Sequence, residues 1–141
     1  MDTNTSTKSN KARAIKMPKQ TKVAVFFGAL YLCLGIMLGA FAAHSLKSTL
    51  TEYQLGILQT GVKYQLIHGV ALLILGVFYS IYHKRSFYIA SICLIIGVFL
   101  FSFSLYAIAL FSASNIGIVT PIGGVFMIAA WLITIYAVLR D

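Results

Sequence analysis

Residues 23–43 carry no charged side chain and are long enough to cross a bilayer as a helix, which takes roughly 20 residues for about 30 Å of hydrocarbon. Three further uncharged stretches follow, at 66–82, 88–111 and 122–139, each bounded by polar or turn-forming residues. Four such runs cannot be hidden inside one small soluble domain. With 60% hydrophobic and 10% charged residues, the chain has too little polar surface to keep a water-soluble exterior. The sequence therefore predicts an all-α integral membrane protein: a four-transmembrane-helix bundle with the lipid bilayer as its solvent.

The second run is the shortest, and residues 51–65 before it have a helical pattern of their own. Glu52, Gln59 and Lys63 fall on one stripe, and Leu55, Leu58, Val62 and Leu66 on the opposite one. This segment is an amphipathic lead-in to the second span. Two placements fit it: a helix in the headgroup layer, or a direct extension of the span above the membrane.

Orientation follows from the short basic flanks, because Lys and Arg resist translocation and acidic residues matter little. On one side fall Lys8, Lys11, Arg13, Lys16, Lys19 and Lys22, then Lys84, Arg85 and Arg140; the other side has only Lys47 and Lys63. Nine against two predicts that both termini are cytoplasmic. Tyr79, Tyr82, Phe87, Tyr88 and Tyr136 would then form an interfacial belt on the cytoplasmic side.

The net charge of +8 resides mostly in residues 1–22, so it is not a nucleic-acid footprint. That segment, rich in Ser, Thr, Asn and Lys, is expected to be a disordered basic cytoplasmic tail, with residues 23–141 forming the membrane domain. Its cations enforce topology and provide for contact with anionic lipid. A secretory signal is the competing reading, given Ala40-Phe41-Ala42, but the apolar run exceeds the usual 7–15-residue signal core. Cys33 and Cys93 lie singly in apolar runs, without ligand-spaced partners, and read as small core residues; neither a metal site nor a cofactor is indicated.

In lipid, small residues mark the places where helix backbones approach closely. Gly28, Gly35 and Gly39 stripe span one, Gly69 and Gly76 span two, Ala90, Gly97 and Ser104 span three, and Gly123 and Gly124 span four. Their partners are either other spans of the same chain or another copy or membrane protein. Thr120 and Pro121 read as N-cap and first helical residue of span four.

Polar residues capable of chemistry gather on the outer side: His44 and Lys47 closing span one, Tyr64, Gln65 and His68 entering span two, and Ser102 and Ser104 in span three. Two roles fit. The cluster is an interhelical hydrogen-bonded strut, or it is a ligand or proton site, since ionisable groups inside a membrane are functional candidates. No carboxylate lies within a span, Glu52 being the only acid near the cluster, and no nucleophile-elbow or phosphate-loop motif occurs. The expectation is a non-enzymatic accessory or ligand-binding component. A small oligomeric transporter using the Gly35/Gly39 stripe as subunit contact, and a membrane enzyme using His44 or His68 as acid/base, are the alternatives.

Four ordered motifs bear a family resemblance. Gly39-Ala-Phe-Ala-Ala-His-Ser-Leu-Lys47 is similar to a G-A-F-G-A-H-G-L-K signature, Tyr64-Gln65-Leu-Ile-His68 to Y-Q-x-x-H, Leu100-Phe-Ser-Phe-Ser-Leu-Tyr106 to L-F-S-G-S-L-Y, and Thr120-Pro-Ile-Gly-Gly124 to T-P-I-G-G. Together they resemble the bacterial membrane family called domain of unknown function 423, whose eukaryotic branch is the transmembrane protein 256 family. Ala42, Ser45 and Phe103 depart from that pattern where it has Gly. The resemblance implies a four-span inner-membrane protein of unassigned activity, with His44, Lys47, Tyr64, Gln65, His68, Ser102, Ser104 and Pro121 among the shared motif residues.

Overall fold

The computed structural model describes residues 16–140. Within them are four helices long and apolar enough to cross a membrane: α1 (Lys19–His44), α2 (Glu52–Tyr82), α3 (Arg85–Phe111) and α4 (Val119–Leu139). Short 3₁₀ segments at Leu46–Ser48 and Ser114–Ile118 lie in the first and last connections.

α1 begins at Lys19, earlier than the charge pattern suggests. Pro18, extended at φ −56° and ψ 149°, occupies the N-cap place, and its carbonyl accepts the Lys22 amide at 3.0 Å. Thr21 is buried, with its hydroxyl donating to Gly76 O at 3.2 Å, while Lys19 and Lys22 point outward. The expected disordered tail therefore does not reach residue 22; its residues 1–15 lie outside the described part of the chain.

α2 is one continuous helix, so the lead-in extends the span rather than lying across the membrane surface. Thr51 starts it with a reciprocal capping box: the Gln54 amide donates to Thr51 Oγ1 at 3.2 Å, and the Thr51 amide to Gln54 Oε1 at 3.0 Å. It ends at His83, which takes the left-handed conformation at φ 53° and donates its amide to Tyr79 O. α4 starts differently from expectation. The 3₁₀ turn runs straight into it through Ile118 at φ −66°, ψ −27°, so Thr120 and Pro121 fall inside the first turn and Thr120 is not the cap. Pro121 is tolerated there because first-turn amides have no intrahelical acceptor.

Consecutive helices pack antiparallel, α1 on α2, α2 on α3 and α3 on α4, with a lighter contact between α1 and α3. The bundle thus has a terminal end, holding Lys19, Lys84 and Leu139, and a distal end, holding His44, Thr51 and Phe111. Along α1, buried Thr21, Ala24, Gly28, Tyr31, Gly35 and Ala42 recur at steps of three, four or seven, the seam of a left-handed supercoil. Hydrophobicity does not distinguish inside from outside here, since lipid tails are as apolar as Leu; residue size does.

A methyl group on Gly28 would stand 2.9 Å from Gly69 O, and one on Gly123 would stand 2.7 Å from Gly97 O. These are two backbone-to-backbone crossings, α1 over α2 and α3 over α4. Gly76 approaches Ala24, and Gly35 packs against Leu66 within the chain, so Gly35 is spent on α2 and is not a free subunit contact. Gly39 makes only an ordinary contact with Val62, and Gly124 has nothing within 4 Å, so neither marks a close crossing within the chain. Gly61 is the close approach that the pattern did not single out: a methyl there would meet the Tyr106 ring at 2.7 Å.

Two more positions differ from expectation, because bilayer and bundle interior are equally apolar and packing alone decides which side a side chain takes. Cys33 is exposed on the outer face of α1 and Cys93 is half-buried, so neither is a fully buried core residue. Phe87, expected in the interfacial belt, is instead buried against Phe78 and Tyr82.

Candidate functional site

The apolar interior is divided into two clusters. One surrounds Tyr31, Leu72, Leu94, Val98 and Met127, the other Leu58, Val62, Tyr106 and Ala109. Where they meet lies Gln65, with 0% of its surface exposed. Its amide nitrogen donates to Tyr31 O at 2.9 Å, and its oxygen accepts the Tyr106 hydroxyl at 2.7 Å, so one side chain links α1, α2 and α3. Ser102 donates to Gly61 O at 2.9 Å in the same layer, and Tyr31 donates its hydroxyl to Ile95 O at 2.7 Å. Close approach at Gly61 is what lets the Tyr106 ring lie across α2 and reach Gln65.

His68 stands one turn along α2 from Gln65, toward the terminal end, on the side facing α4. Its Nδ1 lies 2.8 Å from Tyr64 O, and its Nε2 3.3 Å from the indole Nε1 of Trp131. A carbonyl only accepts and an indole only donates, so these contacts assign the neutral Nδ1–H tautomer. Tyr64 stacks on the imidazole at 5.8 Å and 11°, and also meets Phe101. His68 is buried while Tyr64 and Trp131 are part-exposed on the lipid-facing flank. A third polar contact lies near the distal end: Ser104 donates to Phe101 O at 2.9 Å and accepts from Thr120 Oγ1 at 2.7 Å.

The structure thus separates the predicted cluster into distinct layers. Gln65 and Ser102 belong to the central tie, Tyr64 and His68 to the flank, Ser104 to the α3–α4 contact. His44 and Lys47 are exposed at the distal end and join none of them. Because Gly69 meets Leu32, His68 lies opposite that level of α1, leaving roughly 18 Å of helix rise between it and His44. The two histidines do not form a pair. Among the described residues no buried side-chain polar atom lacks a hydrogen-bond partner, and no three His, Cys, Asp or Glu side chains gather in a metal-binding group.

Tyr31 and Trp131 are the participants that sequence reasoning passed over. The available signal was their position: a Tyr and a Trp deep in an apolar span each carry a polar hydrogen that hydrocarbon cannot satisfy, so each demands an internal acceptor. At the terminal end, Lys84 plays an equivalent part, its ammonium donating to Ala137 O at 3.1 Å and Arg140 O at 3.0 Å. The first is a carbonyl of the last turn of α4 and the second lies just past its end, where a cation is favoured.

A family model described as "Protein of unknown function (DUF423)" matches residues 38–124, the stretch that holds Gln65, His68, Ser102, Ser104 and Tyr106. The chain belongs to this family. It is 36% identical over 120 residues to the UPF0382 inner membrane protein YgdD of Escherichia coli K12, covering 85% of this chain and 92% of that one. It is also 35% identical over 119 residues to the UPF0382 membrane protein SH2409 of Staphylococcus haemolyticus, covering 84% of this chain and 97% of the relative. No solved structure matches significantly. As a member of this family, with four spans, the chain is a multi-pass membrane protein, and the family carries no assigned activity.

Proposed function

We propose that this chain is a non-enzymatic component of the inner membrane, with both termini cytoplasmic, whose polar cluster holds the helices in register and whose work is done by what its outer faces bind. The observation that carries this reading is Gln65: fully buried, with both ends of its amide engaged by Tyr31 and Tyr106. His68 has both ring nitrogens engaged as well, by a backbone carbonyl and an indole N–H, neither of which exchanges a proton with an imidazole near neutral pH. A fully satisfied polar network rigidifies and specifies a packing arrangement, whereas a catalytic group is held ready for a partner that arrives later. The cytoplasmic placement rests on the cations Lys84, Arg85 and Arg140 at the terminal end together with the six within residues 8–22.

Thermal unfolding of the purified protein in detergent tests the role of the cluster. Gln65→Leu and His68→Leu should each lower the midpoint. An unchanged or raised midpoint would mark a group kept at a cost in stability, as active-site groups often are, and would overturn the reading. For orientation, Cys33 and Cys93 are replaced by Ser, and single cysteines at Ser86 and Ser114 are treated with a membrane-impermeant maleimide on intact cells. Ser114→Cys should label and Ser86→Cys should not; the reverse pattern refutes cytoplasmic termini.

A further inference from the structure

α4 packs on α3 and meets α2 at the His68–Trp131 contact, so the two helices leave a trough between them on the lipid-facing side. Its inner part, a cavity of about 260 Å³, has hydrocarbon walls from Ile67, Val70, Ile74 and Phe78 of α2, with Trp131 and Thr134 on α4. The Thr134 hydroxyl is turned back onto Ala130 O, so this part offers a ligand almost nothing polar. Phe78 also walls a second cavity of about 290 Å³, which runs past Tyr82 and Phe87 to Lys84 and Ala137. Lys84 and Ala137 in turn border a third, of about 470 Å³, which opens beside Arg85, Tyr136 and Arg140.

The three cavities follow one another along the helix axis and change character from apolar to cationic. From Ile67 to Tyr82 the first two cavities together rise roughly 22 Å, more than one leaflet of a hydrocarbon core about 30 Å thick, and the cationic mouth lies beyond the end of α2. The cationic mouth then falls at headgroup depth. Both ends are held by side-chain contacts, His68 with Trp131 at the inner end and Lys84 with the last carbonyls of α4 at the outer. The trough is thereby a fixed feature of the bundle.

We propose that this trough seats one anionic phospholipid, with an acyl chain along α2 between Ile67 and Phe78 and its phosphate at Arg85 and Arg140. Arg85 and Arg140 are both exposed and always charged, and a guanidinium pairs with phosphate in bidentate geometry. The seat names the ligand for the binding role proposed above and rests on that role. It does not depend on which side of the membrane the terminal end faces.

The test is native mass spectrometry of the delipidated full chain, titrated with phosphatidylglycerol and with phosphatidylcholine of the same acyl chains. The first lipid molecule should bind with an anionic preference of about 20- to 30-fold, as expected for two cations at the headgroup. In the double variant Arg85→Gln/Arg140→Gln that preference should fall to within threefold. Ile74→Trp, filling the trough at a lipid-exposed position, should weaken both lipids alike. Lys8→Gln/Lys11→Gln/Arg13→Gln should leave the first binding step unchanged. Equal affinity for the two lipids, or a preference lost with the tail cations and kept without Arg85 and Arg140, overturns the proposal. Failure of the cluster reading is separately visible, because it appears as a raised midpoint for the Gln65 and His68 variants with lipid selectivity intact.

Discussion

Gly123 and Gly124 are neighbours in sequence and identical in chemistry, yet the fold assigns them opposite sensitivities. A methyl group at Gly123 would stand 2.5 Å from Phe101 N, 2.7 Å from Gly97 O and 2.9 Å from Phe101 Cα, all of them backbone atoms that no rotamer change can move. Restoring a separation of 3.4 Å requires α3 and α4 to part by about 0.9 Å. A gap of that size forfeits roughly a quarter to a half of the dispersion energy of each contact it opens. Nothing offsets the loss, because lipid fills the gap no better than it packs against Leu. Gly123→Ala should therefore cost about 1–3 kcal/mol or more, the range for overpacking a filled interior. Gly124→Ala, with nothing within 4 Å, should change stability by no more than about 0.5 kcal/mol, or raise it slightly through helix propensity. Gly97 faces the same crossing, where its methyl would meet Met127 N at 2.9 Å. Once one methyl has parted the helices the second finds room, so Gly97→Ala/Gly123→Ala should cost less than the two singles added together. Equilibrium unfolding in mixed micelles reads all four variants. Equal stabilities for the Gly123 and Gly124 variants, or strict additivity at Gly97 and Gly123, would refute the close crossing.

Gln65→Leu leaves the buried Tyr106 hydroxyl without its acceptor and should cost about 2–3 kcal/mol, while the added change Tyr106→Phe should recover at least about 1 kcal/mol by removing the orphaned group; additive effects in that double-mutant cycle would show that the two side chains do not interact. Trp131 is the sole tryptophan, so the indole N–H band in ultraviolet resonance Raman should report a hydrogen-bonded indole in the native chain and a free one in His68→Leu, and an unshifted band would dismiss the contact. Ser112 takes a left-handed conformation at φ 52° at the end of α3, which costs a non-glycine residue about 1–2 kcal/mol, so Ser112→Gly should stabilise by up to about 1 kcal/mol after the loss of chain entropy; a destabilised variant would contradict that geometry.

Four uncharged runs of spanning length determined the number of helices and their membrane setting, because hydrocarbon leaves a chain few other ways to satisfy its backbone. Gly28, Gly69, Gly97 and Gly123 were legible as close contacts for the related reason that size, not polarity, distinguishes helix faces in lipid. Gln65 and His68 were legible as polar groups requiring partners, but the partners were not. A single sequence gives the spacing of residues along one helix; it does not give the axial register or the rotation of that helix against its neighbours. Those two quantities set Gln65 between Tyr31 and Tyr106, turned His68 toward Trp131, left His44 roughly 18 Å away along the bundle, and distinguished Gly123 from Gly124. The outward position of Cys33 belongs with them: bilayer and interior are equally apolar, so only the packing of α1 on α2 decides which side of the helix a small residue occupies.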